Sequence, residues 1–217
     1  MINIENVEVY GWQSAIRGAR NPMNSWDKMD SMEDIVFHQE GNEAVFESEF
    51  KIGPNDYKLL KNLCIAGKDH RKWLRMIDVT MDITAPLYWW KEYDTYKVGT
   101  VANSCSTMHK IHAKEFEIKD FSYEKMLPYS IFHLRKTIDM LNRYREEYIL
   151  TKNKQYWWQL IQVLPCSYNQ KRTVHLNYEV LNAMHNARKN HKLDEWSIFC
   201  GEIEKFPYSE FITMDFE

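Results

Sequence analysis

Small polar side chains are concentrated between Asn103 and Thr107, where the sequence reads Asn-Ser-Cys-Ser-Thr. Lys97 precedes this cluster and His109 follows it. Hydroxyl and amide groups donate and accept hydrogen bonds, and a lysine adds a positive charge, so the segment suits a polar or anionic ligand. An ordinary turn between two elements is the competing interpretation, and the sequence alone leaves both open.

Three other groupings have side chains that do chemistry in proteins. His109 and His112 would share one face of a helix and bind a metal, but no carboxylate or cysteine nearby completes a ligand set, so a structural or solvated pair is the alternative. Cys105 is a candidate nucleophile without an assignable base, and a buried small residue is the alternative. The paired tryptophans at 89–90 and 157–158 would stack a planar ring. Neighbours on a helix point about 100° apart, so we expect one member of each pair to be core.

Composition indicates one packed domain over residues 1–217. Hydrophobic residues make up 44% of the chain and aromatic residues 14%, which is enough for a core. No stretch rich in Gly, Ser or Pro divides the sequence. With only 7 glycines and 6 prolines, the chain is expected to be mainly helical with few tight turns.

The charge and cysteine content exclude several classes of function. A net charge of −3 argues against binding a nucleic acid polymer, although a single nucleotide needs only a few donors. The four cysteines are far apart and form no CxxC pair, which argues against a zinc site or a disulfide framework. The first residues lack a cationic and apolar leader, and no apolar run approaches about 18 residues. We therefore expect a cytoplasmic protein with reduced thiols and no membrane partner.

The elements that position the polar cluster are predicted from local patterns. Val79, Met81 and Ile83 alternate with polar residues and predict a strand. Pro86 ends that strand, because proline has no N–H to donate, and begins a short aromatic helix that ends near Tyr93.

The rest of the chain is read from the same rules. Strand is predicted for 2–10, a hairpin around Gly41-Asn42, and an extended stretch for 166–177. Arg17 and Arg20 share one face of the first helix, and we expect that face to be solvated. Helices are predicted for 12–20, 54–66, 130–150, 155–163, 178–188 and 192–204. The fold class is therefore α+β.

The stretch from His70 to Met108 contains a histidine in a turn, a strand, Ala85-Pro86, a short helix and a loop with serines. This order resembles the flavin-dependent thymidylate synthases, whose signature Arg-His-Arg follows the helix and is closed by a serine. Here the signature falls at 95–97 or one residue on, and only Lys97 keeps a charge. The closing serine corresponds to Ser106 with one inserted residue, or to Cys105 without it.

A second stretch resembles the same family. In that family a Leu-Pro precedes an asparagine that begins a helix and an arginine that ends the helix, and a histidine and a glutamate follow. The spacings from the Leu-Pro to the arginine look the same, and one residue is missing before the histidine. The corresponding residues here are Leu164-Pro165, Asn177, Arg188, His191 and Glu195.

The resemblance covers about half of the chain and implies a fold and an activity. The implied fold is α+β, with a small antiparallel sheet and long helices. The implied reaction transfers a methylene group from methylenetetrahydrofolate to C5 of dUMP. NADPH first reduces a bound FAD, whose hydride completes the methyl group, and no cysteine attacks the uracil. The active sites lie between the subunits of a homotetramer.

The resemblance also implies roles for individual residues. Arg188 would grip the nucleotide phosphate, a role that suits its planar donor fork. Ser104 and Ser106 would face the nucleotide, and Ser106 and Arg188 occupy the positions carried over as catalytic. The residues implied to line the flavin site are His70, Lys97, Asn177 and His191.

The sequence also departs from the family. Thr95 and Tyr96 cannot replace the missing signature cations, and Glu92 is acidic where a neutral glutamine is usual. Lys72 and Arg75 place positive charge in the turn after the histidine instead. Two hypotheses follow: a divergent flavin enzyme that acts on a pyrimidine nucleotide, or a catalytically inactive oligomer that sequesters nucleotides. An interaction protein that uses its aromatic surface is a third.

Overall fold

The structure is a computed structural model that describes residues 1–40 and 43–215, and for residues 38–40 and 43–48 the backbone alone. A four-stranded sheet has the strand order β1-β4-β6-β5, and β2 and β3 form a separate antiparallel pair. The strands are β1 (Asn3–Tyr10), β2 (Met32–Glu40), β3 (Glu43–Lys51), β4 (Asp78–Pro86), β5 (Val101–Ser104) and β6 (Asn169–Asn177).

Helices account for most of the remaining chain. The helices are α1 (Trp12–Arg20), α2 (Pro54–Ile65), α3 (Leu87–Tyr93), α4 (Pro128–Thr151), α5 (Lys154–Val163), α6 (Tyr178–Arg188), α7 (Asp194–Ile203) and α8 (Glu210–Thr213). Short 3-10 helices cover Asn21–Met23, Trp26–Lys28, Arg71–Met76 and Ile118–Asp120. The α+β prediction and the bounds of α3 and α6 are confirmed. The hairpin is confirmed as β2 and β3, and its Gly41-Asn42 turn lies outside the described residues.

Contacts divide the chain into two compact units. Unit 1 contains the predicted serine cluster and consists of Met1–Val7, Thr80–His175 and Asn190–Glu202. Unit 2 contains the predicted phosphate-gripping arginine and consists of Glu8–Val79, Leu176–Lys189 and the chain from Ile203 onward.

An aromatic cluster forms one part of the core of unit 1. Trp89 packs against Trp90 and Trp196, with ring centroids 5.0 and 4.7 Å apart, and Phe199 packs on the same cluster. Trp89 and Trp90 are both buried, so the expectation that only one of them is core is wrong. The reason is that the Trp90 indole N–H reaches across to the Gln170 carbonyl at 3.0 Å, which makes burial of the second ring favourable.

A buried ion pair organises unit 2. The Arg20 guanidinium donates to the Asp56 carboxylate at 2.6 Å, and both side chains are almost inaccessible to solvent. The other Asp56 oxygen accepts the backbone N–H groups of Asp30 and Ser31 at 2.9 Å. The expectation of a solvated arginine face is therefore wrong for Arg20, because a carboxylate distant in sequence pairs with it, and correct for the exposed Arg17.

One side chain of β6 fixes the serine loop of unit 1. The Gln170 amide donates to the Cys105 carbonyl at 2.7 Å, and its oxygen accepts from Arg172 at 3.0 Å. Backbone pairing adds to this, since Cys105 N–H donates to the Lys171 carbonyl at 2.9 Å. Ser104 pairs with Arg172 in the antiparallel β5–β6 ladder, so Asn103 and Ser104 belong to a strand and not to the predicted loop.

We expect Asp56→Asn to lower the free energy of unfolding by about 3–5 kcal/mol, because it leaves the Arg20 charge buried without a counter-charge. Burial alone would raise the pKa of Asp56, but the hydrogen bonds from Ser31, the Asp30 N–H and Arg20 outweigh it and lower the pKa. The stabilisation is therefore present above about pH 4 and is lost as the pH falls through the folded-state pKa. Urea unfolding at several pH values measures both effects.

The exposed Asp27 provides the matched control for that variant. Asp27→Asn is expected to change the unfolding free energy by less than about 0.5 kcal/mol. Equal effects of the two substitutions would contradict the role assigned to the buried pair.

We expect Gln170→Ala to loosen the serine loop, because it removes the only side-chain hydrogen bond to the Cys105 carbonyl in the described structure. Loss of one such bond corresponds to about fivefold faster local opening. Hydrogen exchange of a peptide that covers residues 104–110 measures it. Gln159→Ala is the control, since that amide makes one long 3.5 Å bond on an exposed helix face, and equal exchange in both variants would refute the assignment.

Candidate functional site

A cavity of about 500 Å³ lies beside the serine loop, entirely within unit 1. Its wall combines hydroxyl groups, side-chain amides, ammonium groups and two aromatic rings. The lining includes Thr84, Cys105, Ser106, Thr107, Lys110, Lys114, Phe116, Lys119, Asp120, Tyr168, Asn169, Gln170 and Lys171. These groups donate far more hydrogen bonds than they accept, so the cavity suits an anionic or carbonyl-bearing ligand.

Ser106 has a fixed orientation at this cavity. Its Oγ accepts the backbone N–H groups of Met108 at 3.2 Å and His109 at 2.9 Å. Two accepted bonds occupy the oxygen lone pairs, which leaves the hydroxyl proton to be donated elsewhere. Ser106 is therefore positioned as a hydrogen-bond donor to a ligand oxygen.

The electrostatics of the cavity are set by lysines. A hydrogen bond to Asp82 raises the pKa of Lys171, which keeps its ammonium charged. Hydrogen bonds from Thr173, Asn6 and Lys171 lower the pKa of Asp82 to about 2. Burial raises the pKa of the Tyr168 phenol, so Tyr168 stays a neutral donor.

Ser104 lies at the end of β5 and is exposed. Its partner across the strands, Arg172, stacks 4.1 Å from the Trp90 ring centroid and pairs with Asp94 at 2.7 Å. Arg172 is therefore held by an aromatic face and a carboxylate, a geometry that suits guanidinium and not ammonium groups.

Lys97 lines a second, smaller cavity of about 230 Å³ in unit 1. Tyr93, Tyr96 and Thr100 line it too, and Lys97 is exposed. Within the described part of the chain the buried Tyr93 hydroxyl has no hydrogen-bond partner, and burial raises its pKa, so it remains a neutral donor. A buried donor of this kind is costly unless a ligand or water satisfies it.

His191 lines neither of these cavities. Its Nε2 lies 3.2 Å from the Glu92 carboxylate, and its Nδ1 accepts the Leu193 N–H at 3.1 Å. Trp196 donates to the same Glu92 oxygen at 3.2 Å. The acidic residue at position 92 therefore has a structural partner, and both nitrogens of the His191 ring are engaged.

The remaining predicted residues belong to unit 2. Asn177 caps α6, and its side-chain oxygen accepts the Val180 N–H at 3.1 Å. Arg188 is the last residue of the same helix and is half-buried. A helix rises about 1.5 Å per residue, so the two lie roughly 16 Å apart along it.

His70 is exposed and directly precedes the 3-10 helix Arg71–Met76. Arg75 forms an ion pair with Glu179 in the first turn of α6, and Arg71 lies 3.7 Å from the same carboxylate. Of the charges predicted in the turn after His70, Arg75 is therefore paired with Glu179, and this single carboxylate offsets only part of the positive charge there.

Of the predicted site residues, Ser106 lines the larger cavity and Lys97 lines the smaller one. The sequence interpretation missed Gln170 and the lysines at 110, 114, 119 and 171 as lining residues. Lys110, Lys114 and Lys119 recur every few residues after the serine loop, and this spacing is the signal that could identify them. Lys171 lies on β6 and has no such signal.

The structure decides the alternative groupings from the sequence in the described residues. Cys105 is exposed, so the alternative of a buried small residue is wrong there. No group of three metal-ligating side chains occurs in the described residues, and His112 instead packs against the Tyr148 ring at 4.9 Å. Burial lowers the pKa of His112. Trp157 is half-buried and Trp158 is exposed, so neither is the core residue that we expected from this pair. Within residues 1–40 and 43–215, no helix has the length and apolar character needed to cross a bilayer.

Comparison with known proteins identifies the fold. No protein-family model matches the sequence, and no curated protein matches it either. Thymidylate synthase X from Helicobacter pylori, crystallised with FAD and dUMP, is similar in structure with a TM-score of 0.64 and 13% identity, over 97% of this chain and 96% of that one. A second structure of the flavin-dependent thymidylate synthase from H. pylori, complexed with FAD and dUMP, has a TM-score of 0.62 and 13% sequence identity. That match covers 95% of this chain and 96% of the other. The chain therefore has the flavin-dependent thymidylate synthase fold, with a small antiparallel sheet and long helices.

Proposed function

We propose that this protein binds a phosphorylated pyrimidine nucleoside in the Ser106 cavity and methylates C5 of dUMP or a related pyrimidine nucleotide. The proposal is a flavin-dependent thymidylate-synthase-like enzyme that works as a cytoplasmic homotetramer. The observation that carries it is the oriented Ser106 hydroxyl in a cavity lined by lysines, on the fold of enzymes crystallised with FAD and dUMP.

The cavity has the chemistry that a nucleotide requires. Lys110 and the Ser106 hydroxyl donate to phosphate oxygens. The Asn169 oxygen accepts the Ser122 hydroxyl at 2.8 Å, so its NH₂ group is the donor offered to a uracil carbonyl. Phe116 and Tyr168 supply apolar surface on which a planar base rests. Each of these contacts uses a group that already lines the cavity.

The residues assigned to FAD fit the donor requirement of that cofactor. The Lys97 ammonium and the unpaired Tyr93 hydroxyl share one cavity, and both donate to phosphate oxygens. Asn177 uses its oxygen as a helix cap, which leaves its NH₂ group to donate, and His70 is exposed. Glu92 and the Leu193 N–H orient the His191 ring.

When bound, FAD supplies the hydride that completes the methyl group, with NADPH and methylenetetrahydrofolate as co-substrates. The chain's own part is to bind the nucleotide, to orient it through Ser104 and Ser106, and to hold its phosphate. In this proposal Arg188 grips the phosphate in a site completed by a neighbouring copy. The wide separation of Arg188 and Asn177 along α6 supports a site to which different copies contribute these residues.

A second candidate function is nucleotide binding and sequestration without turnover. The observation that favours it is the loss of both signature arginines, since Thr95 and Tyr96 are uncharged and only Lys97 keeps a charge, while Glu92 bonds to Trp196 and His191. Such a protein would keep the Ser106 cavity and lack redox chemistry. Flavin content and product formation separate the two functions.

We expect the purified protein to be yellow, or to become so when FAD is added, because Lys97 and the Tyr93 hydroxyl provide donors for the cofactor phosphates. Lys97→Ala should weaken FAD binding about tenfold, measured by quenching of flavin fluorescence. Lys91→Ala, which removes an exposed lysine on α3, is the control and should leave binding unchanged.

Formation of dTMP from dUMP, methylenetetrahydrofolate and NADPH, followed by chromatography, tests the reaction itself. Formation of dTMP supports the proposed enzymatic function. Binding of dUMP without flavin or product supports the sequestering function, and absence of both nucleotide and flavin binding overturns the proposal.

We expect Ser106→Ala and Arg188→Ala each to weaken dUMP binding at least about tenfold in calorimetry, because each removes a donor to a charged phosphate. Arg17→Ala removes an exposed arginine of unit 2 and is the control. Size-exclusion chromatography with light scattering accompanies the titrations, because a monomer would leave the Arg188 assignment without its neighbouring copy. Unchanged dUMP binding by Arg188→Ala would remove Arg188 from the site.

A further inference from the structure

The Ser106 cavity carries more cationic side chains than one phosphate group needs. Lys110, Lys114, Lys119 and Lys171 all line it. A single phosphate monoester carries about two negative charges and is satisfied by a few donors. One lysine and the Ser106 hydroxyl would already provide for it.

Three of these lysines are paired with carboxylates. Lys114 lies 2.6 Å from Asp120, Lys119 lies 2.9 Å from Glu117, and Lys171 lies 3.0 Å from Asp82. Lys110 has no such partner in the described part of the chain. The lysine side chains are 66, 71 and 41% exposed, so the pairs are surface pairs of small net stability.

Each partner carboxylate keeps other donors if its lysine moves away. Asp120 also accepts the Glu117 N–H at 2.9 Å, within a capping box in which the Glu117 side chain accepts the Asp120 N–H. Asp82 also accepts from Thr173 at 2.6 Å and from Asn6 at 2.9 Å. The lysines can therefore turn to a ligand without leaving a buried charge unpaired.

A ligand with several phosphate groups satisfies this arrangement better than a monophosphate does. The first phosphate uses Lys110 and Ser106, and the additional phosphates draw Lys114, Lys119 and Lys171 from their surface pairs. Phosphate oxygens bear more charge than one carboxylate and accept charge-assisted hydrogen bonds, so the exchange is favourable.

From this geometry we infer that the Ser106 cavity is specific for a pyrimidine nucleoside di- or triphosphate. The inference rests on the proposed function, because it takes this cavity as the nucleotide site. It adds that the lysines following the serine loop select for the length of the phosphate chain.

Calorimetry of the full-length protein with dUMP, dUDP, dUTP and inorganic tripolyphosphate, in buffer free of divalent cations, tests this specificity. We expect dUTP to bind at least about tenfold more tightly than dUMP, because each added phosphate gains charge-assisted bonds. The triple variant Lys114→Gln/Lys119→Gln/Lys171→Gln should lose this preference, because its affinity for dUTP should fall about tenfold more than its affinity for dUMP.

The control variant Lys58→Gln/Lys61→Gln/Lys136→Gln removes the same charge from three exposed lysines that do not line the cavity. This control variant should keep the preference for dUTP. If it loses the preference, the preference depends on the net charge of the protein and the inference is overturned. Thermal unfolding confirms that both triple variants are folded before titration.

The outcomes separate the two proposals. Equal binding of dUMP and dUTP, or an unchanged preference in the cavity variant, overturns the inference and leaves the proposed function standing. Failure of both dUMP and dUTP to bind overturns the proposed function. Tripolyphosphate that binds as tightly as dUTP overturns the nucleoside part, because the cavity would then recognise the phosphate chain alone.

Discussion

The position of the serine loop depends on one buried amide. The Gln170 side chain donates to the Cys105 carbonyl and accepts from Arg172, while its backbone carbonyl accepts from the Trp90 indole. A neutral amide whose donor and acceptor are both satisfied can be buried at little cost, whereas an unsatisfied one is costly. The same residue therefore joins α3, β6 and the segment that presents Ser106. A shift of any one of these elements would leave a buried polar group unpaired.

This constraint explains how the charge of the cavity wall can change while the backbone of the serine loop keeps its position. Gln170 and the β5–β6 pairing hold the loop through backbone carbonyls and N–H groups, which do not depend on the side chains that face the ligand. Side chains on the cavity side are free to differ. This chain is 13% identical to a solved structure of the same fold, and Lys110, Lys114 and Lys119 follow its serine loop.

Local signals in the sequence were sufficient for most of the elements. Pro86 both ends β4 and begins α3, and Asn177 both ends β6 and caps α6, so the bounds of these elements are set by their own residues. Ser106, which the hydroxyl-rich cluster singled out as a ligand-binding candidate, lines a cavity, and its role there stays a prediction. Predictions of this kind succeed where the cause lies within a few residues of the effect.

The features that were missed have causes far away in the sequence. Arg20 is buried because Asp56 pairs with it, and Ser104 is in a strand because it pairs with Arg172. No periodicity or composition reveals such partners. The lysines after the serine loop were visible as a pattern, but only the packing of β6 against the loop makes them the wall of one cavity.

The balance of charge around that cavity links its structure to its function. A site built for a single phosphate would gain little from Lys114 and Lys171, which already have carboxylate partners. Each partner carboxylate offsets the charge of its lysine, which reduces the repulsion between like charges before a ligand arrives. Asp82 stays ionised, with its pKa lowered to about 2 by Thr173, Asn6 and Lys171, so it can release and recapture a lysine without taking up a proton. Lysines that are paired in this way can exchange their carboxylate partners for phosphate oxygens with little rearrangement of the backbone.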